Sequence, residues 1–158
     1  MREPPMKTHL EFRSDAFPAQ PGEEELVNPG RWGRLLADYL SAELRARGFA
    51  GRGPFAEDWG WLIPLENDGF ALWIGCGNIE RGEAFGVESD DAEDPADQFL
   101  CFIEPSEPFV RRMFRKIDTT ARVAELASAL EAALRAHPRV RQLRWWTEQE
   151  VEYKRAEV

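Results

Sequence analysis

The chain has 158 residues, 43% of them hydrophobic, and a formal net charge of −9. That length and apolar content suit one domain, residues 1–158, with a core of its own, and exclude a disordered chain. The acidic balance argues against binding nucleic-acid phosphates and against docking on anionic lipid.

Residues 1–6 are short, polar and proline-bearing, and are expected to be disordered; no apolar signal core follows them. The longest stretch without a charged residue, Gly69 to Ile79, falls far short of the ~20 residues of a membrane helix. A cytoplasmic location is expected, with Cys76 and Cys101, the only cysteines, reduced.

Residues 7–13 alternate, with Leu10 and Phe12 on one side and His9, Glu11 and Arg13 on the other, as in a half-buried strand. Residues 14–27 read as a loop. Asn28-Pro29 offers a helix N-cap and first turn. Trp32, Leu35, Leu36, Tyr39, Leu40 and Leu44 then form one apolar stripe, closed by Gly48.

Residues 58–65 predict a strand with Trp59, Trp61, Ile63 and Leu65 on a shared face; Pro64 makes it an edge or a bulge. Asn67-Asp68-Gly69 marks a hairpin turn. Residues 70–76 form the return strand, with Trp73 pointing opposite to Phe70, Leu72, Ile74 and Cys76. Residues 80–97 hold eight acidic residues and one arginine, and read as a mobile acidic loop.

Residues 98–104 are apolar on both faces, which predicts a central strand. A short basic stretch, Arg111 to Lys116, follows. Asp118 or Thr119 caps a second helix carrying Val123, Leu126, Ala127, Leu130, Ala133 and Leu134, which His137-Pro138 ends. Residues 139–146 predict a last strand, in which Trp145 and Trp146 face opposite ways. The charged tail 147–158 is either helical or frayed.

The expected fold is α+β, a two-layer sandwich of order β-α-β-β-β-α-β. It is ferredoxin-like with one added strand, mostly antiparallel, with two helices on one face. Two helices cover one face, yet both faces carry large aromatic residues, and the chain has six tryptophans. Residues 14–27 and the tail, a second copy of the chain, or a partner must cover the other face.

Three strings could carry chemistry. Glu57 and Asp58 beside tryptophans could form an acid/base pair, but neighbours on a strand point to opposite faces, and an acidic strand start before core tryptophans is the better account of them. Cys76 between two glycines could be a nucleophile if His9 approached it; the alternative is a buried free thiol, as for Cys101. The acidic run lacks calcium-loop spacing, so it is either a solvated loop or a lure for a basic partner. Nucleotide, zinc-protease and serine-hydrolase motifs are absent, and neither a cofactor nor a metal is expected.

The string Glu57-Asp58-Trp59-Gly60-Trp61, with the hairpin into Leu72-Trp73-Ile74-Gly75-Cys76, resembles small bacterial α/β proteins of unknown function. It is also similar to some immunity proteins that neutralise toxins of neighbouring cells. The similar region covers about residues 54–104. Immunity proteins share no catalytic residues; the resemblance implies an acidic surface that occludes a basic or nucleic-acid-directed toxin.

The resulting expectation is a non-enzymatic protein-binding domain. Glu88, Asp90, Asp91, Glu93, Asp94 and Asp97 would steer a partner, and the exposed members of Trp59, Trp61, Trp73, Trp145 and Trp146 would anchor it. The alternatives are a small-ligand binder or enzyme around Cys76, Glu57 and Asp58, and a structural homo-oligomer such as a homodimer.

Overall fold

The computed structural model describes residues 5–79, 97–106 and 118–156. The elements run β1 (Lys7–Ser14), a 3-10 turn (Glu23–Glu25), α1 (Arg34–Ala46), β2 (Phe55–Glu57), β3 (Gly60–Leu65), β4 (Ala71–Asn78), β5 (Gln98–Ser106), α2 (Thr120–Arg135), β6 (Val140–Thr147) and α3 (Glu148–Ala156). The six strands form one sheet in the order β2-β3-β4-β5-β1-β6, and every neighbouring pair is antiparallel. The protein is thus of the α+β class, and it has one strand and one helix more than the expected order.

Register divides the sheet residues cleanly between two faces. Leu10 opposes Cys101, Cys101 opposes Cys76, and Cys76 opposes Trp61. With Phe12, Phe99, Ile103, Leu72, Ile74 and Ile63, these side chains meet the buried stripes of α1 (Leu36, Leu40, Leu44) and α2 (Val123, Leu126, Leu130, Leu134) in one core. At ~1.5–3 kcal/mol for each fully buried aliphatic or aromatic side chain, this helix-covered face supplies most of the drive to fold.

Three local expectations are corrected. Helix α1 begins at Arg34, not after Asn28-Pro29, because the Asn28 N–H donates to Asp58 O and holds that stretch in a turn. The segment 15–33 packs on the helix-covered face, through Phe17 and Val27, and does not cover the second face. The strand expected over 58–65 is interrupted: Asp58 and Trp59 form the turn of a tight hairpin between β2 and β3, closed by the Glu57–Gly60 pair.

The second face is itself divided. Over β1 and β6 it is closed, and β1 is no half-buried strand: Glu11 and Arg13 are fully buried. Trp146, Leu100 and Ile79 form a small second core there with Val151 of α3, so the tail is an ordered helix. Met6 likewise packs against the main core, so the expected disorder does not extend to it.

Helix α3 starts with a reciprocal cap. The Thr147 N–H donates to Glu150 Oε1 at 2.9 Å, and the Glu150 N–H donates to Thr147 Oγ1 at 3.1 Å. The Thr147 N–H is the main reason why the Glu150 carboxyl sits below its ordinary value of 4.5. A carboxyl lowered by folding contributes fully above the unfolded value and loses its contribution as pH falls through the folded one. Acidification below about pH 4.5 is therefore expected to fray α3, read as loss of amide protection over residues 148–152. Thr147→Ala should have the same effect at neutral pH, at a cost of about 1 kcal/mol.

Candidate interaction face

One row of residues crosses all six strands on the second face: Phe55, Leu62, Gly75, Phe102, His9 and Trp146, each opposite the next. Along it the side chains pass from 50% exposed at Phe55 to 6% at Trp146. The β6 end lies in the small core with α3. The end made by β2, β3, β4 and β5 has no helix over it among the described residues, and its aromatic side chains are half-buried.

Gly75 explains how the rings lie. A Cβ there would stand 2.2 Å from Phe102 Cζ, so the absence of a side chain lets the Phe102 ring lie over the β4 backbone. Around Phe102 the rings touch one another. Its centroid is 5.2 Å from Trp59, 5.6 Å from Trp73 and 5.6 Å from His9, and Trp59 and Trp73 stack at 6.2 Å. Such contacts are worth about 0.5–1.5 kcal/mol each beyond the area they bury.

Gly60 explains how Trp59 reaches this cluster. Its φ of 152° and its closeness to β4, where a Cβ would meet Cys76 O at 2.6 Å, turn the chain sharply at the start of β3. Trp59 and Trp61 therefore do not share a face, against the expectation from alternation. Trp61 is 2% exposed in the main core, where its indole N–H donates to Glu23 Oε2 at 2.8 Å.

The other tryptophans are tied down in a similar way. Trp145 is half-buried on the helix-covered face and donates to Glu131 Oε1 at 2.9 Å. Trp146, on the opposite face as its adjacency requires, donates to Glu11 Oε1 at 3.1 Å. Of the five expected anchors, only Trp59 and Trp73 lie on the open face, and neither indole N–H has an acceptor among the described residues. Phe55 and Phe102, absent from the expected set, complete the surface; the signal for Phe102 was its place opposite a strand glycine.

Three carboxylates are neighbours of these rings along or across the strands. Glu104 is the cross-strand partner of Trp73, and Glu57 and Asp58 lie on the hairpin that carries Trp59. None of the three has an ion pair among the described residues. Burial raises the Glu104 carboxyl above its ordinary value, and the charge of Glu148 at the start of α3 adds to the rise. Of the expected steering residues, Glu88, Asp90, Asp91, Glu93 and Asp94 lie outside the described residues, as does the basic stretch Arg111–Lys116. Asp97 lies 3.9 Å from Arg141 across the sheet.

The alternative centre does not assemble. Cys76 is fully buried on the helix-covered face, whereas His9 is on the second face and Glu57 is exposed on the edge strand. Cys76 instead faces Cys101, and burial, with the hydrogen bond between the two thiols, holds the Cys101 thiol well above its usual range. Both thiols are expected to react with iodoacetamide at neutral pH only as fast as the protein unfolds; labelling of either at the rate of a free thiol would contradict this burial. No group of three or more His, Cys, Asp or Glu among the described residues could hold a metal ion. No described helix is long and apolar enough to cross a membrane. No protein-family model, curated protein or solved structure matches this chain.

Proposed function

We propose that the protein is a non-enzymatic binding domain that docks a protein partner on the open half of its second sheet face. The observation that carries this reading is the aromatic cluster of Trp59, Trp73 and Phe102, with the 50% exposed Phe55 on the same row at the edge strand, beyond Gly75 and Leu62. Tryptophans that are half-buried, in mutual contact and without a hydrogen-bond acceptor among the described residues gain from further burial by a partner. The separation of Cys76, Glu57 and His9 supports the non-enzymatic side of the reading.

The specific form of the reading is a cytoplasmic immunity protein that occludes a basic toxin. The net charge of −9 and the carboxylates Glu57, Asp58 and Glu104, which have no ion pair among the described residues, support that form. A ferredoxin-like plan with an added edge hairpin is supported by the order β4-β5-β1-β6 inside the sheet, with β2 and β3 outside it.

The test is a photoreactive phenylalanine analogue at position 55 of the full chain, expressed in the native host, with the same analogue at the 60% exposed Leu26 as control. A discrete adduct is expected from position 55, not from position 26, and it should disappear in the Trp59→Ala/Trp73→Ala background. An adduct at twice 18.1 kDa would identify the partner as a second copy. No adduct at position 55, or equal adducts at both positions, would refute the docking face.

A further inference from the structure

We propose that this face recognises an arginine-bearing segment of the partner, with the guanidinium stacked on Trp73 and paired with Glu104; the inference rests on the docking reading above.

The first argument is how this chain treats its own rings. Arg34 lies 4.9 Å over the Trp61 ring and pairs with Asp38 at 3.2 Å, while Glu23 accepts the Trp61 indole N–H. Arg144 lies 4.3 Å over Trp146, whose indole N–H goes to Glu11. Arg122 lies 4.1 Å over Phe49 and pairs with Glu125 at 2.8 Å. Each of these sites joins a ring, a guanidinium and a carboxylate. Trp73 and Glu104 face each other across β4 and β5 as a fourth ring and carboxylate, and no arginine completes them among the described residues.

The second argument is charge. Glu104 lies opposite Trp73, and Glu57 and Asp58 precede Trp59 on its hairpin, all three without an ion pair among the described residues, and Glu148 adds a further negative charge beside Glu104. A cationic group brought to these rings would be attracted by the carboxylates and by the ring faces together.

The third argument is spacing, which selects the kind of cation. A quaternary ammonium held between rings needs each centroid within about 6 Å of the charge, so facing rings must stand well apart. Here the centroids lie 5.2 to 6.2 Å from one another, and no group fits between them. A flat guanidinium stacks on one exposed ring face and still presents its edge to a carboxylate in bidentate fashion; a lysine ammonium does not match that geometry.

The probe is a short peptide of alternating arginine and glycine, titrated into the full-length protein labelled with ¹⁵N. The indole N–H resonances of Trp59 and Trp73 are expected to shift, and those of Trp61 and Trp146 to stay. The lysine version of the peptide should bind at least about fivefold more weakly. Trp73→Ala should weaken binding about 3- to 30-fold, with Trp73→Phe retaining most of it as the variant that keeps a ring. Glu104→Gln should weaken it in the same direction.

Equal affinity for both peptides, or undiminished binding by Trp73→Ala, would overturn the assignment. So would binding that appears only after Arg111, Arg112 and Arg115 are changed to alanine, since the chain's own basic stretch would then be the occupant. A crosslink at position 55 without an arginine response would overturn the guanidinium assignment alone. The absence of that crosslink would overturn the docking face beneath it.

Discussion

Glu23→Ala is expected to lower the unfolding free energy by about 3–5 kcal/mol, the range for removing one partner of a buried charged network. The side chain is 3% exposed, and its two oxygens serve four donors. Oε2 accepts the Gly33 N–H at 2.7 Å, the Arg34 N–H at 2.8 Å and the Trp61 indole at 2.8 Å, while Oε1 accepts the Gln20 N–H at 2.9 Å. Two of these donors are the first free N–H groups of α1, so the carboxylate caps that helix from ten residues upstream. Alanine leaves two buried donors, the Gly33 N–H and the Trp61 indole, without their acceptor, and two part-buried ones beside them. For a domain of this size the loss corresponds to a fall in Tm of roughly 6–20 °C. Glu23→Gln keeps the shape but turns an NH₂ towards N–H donors, and should cost about 2 kcal/mol. Urea unfolding at neutral pH measures both, and a loss below about 1 kcal/mol for the alanine variant would remove Glu23 from its place as the staple of α1.

Gly60→Ala is expected to be the most damaging single-methyl change on the open face, at about 2–4 kcal/mol. The methyl would meet a backbone oxygen, Cys76 O, at 2.6 Å, and no rotamer change can relieve that contact. The φ of 152° adds strain for any residue with a side chain. Because this turn sends Trp59 to one face and Trp61 to the other, relaxation of the hairpin should also pull Trp59 away from Trp73. The expected signature is a stability loss together with altered tryptophan fluorescence and a weakened crosslink at position 55. Gly75→Ala tests the neighbouring contact more mildly, since the obstacle there is the tip of the half-exposed Phe102 ring. A Gly60→Ala protein as stable as its parent would mean that the hairpin tolerates a different turn.

Much of the fold was legible because the signals were local. The spacing of Leu36, Leu40 and Leu44 marked α1, the two-sided apolar run 98–104 marked a central strand, and the adjacency of Trp145 and Trp146 forced them onto opposite faces. What escaped depended on distant partners. The start of α1 is set by Glu23 and by the Asn28–Asp58 bond, neither of which belongs to the helix. Glu11 and Arg13 look like a solvent face on β1, but the Trp146 indole meets Glu11 across a sheet whose strand order no local pattern reveals. The alternation Trp59, Trp61, Ile63 suggested one continuous strand, and only the dihedral angle of Gly60 breaks it. Thr147 and Glu150 have the spacing of a capping box, a signal that the expectation of a helical or frayed tail did not use. For the site, the outward direction of Trp73 followed from alternation; its meeting with Trp59 and Phe102 required the register of three strands.

The two outer strands limit how this molecule can assemble. β2 is only three residues long, and β6 carries Arg141 and Arg144 and is distorted at Gln142, whose φ is 56°, where its pairing with β1 slips. Short, charged or kinked borders of this kind resist strand-by-strand growth between molecules. Two copies cannot readily fuse into one continuous ribbon, so fibril formation is disfavoured even though the chain is rich in indoles. Among the described strands neither border favours extension of the main-chain ladder, so the partner contact proposed above is one made broadside, through side chains.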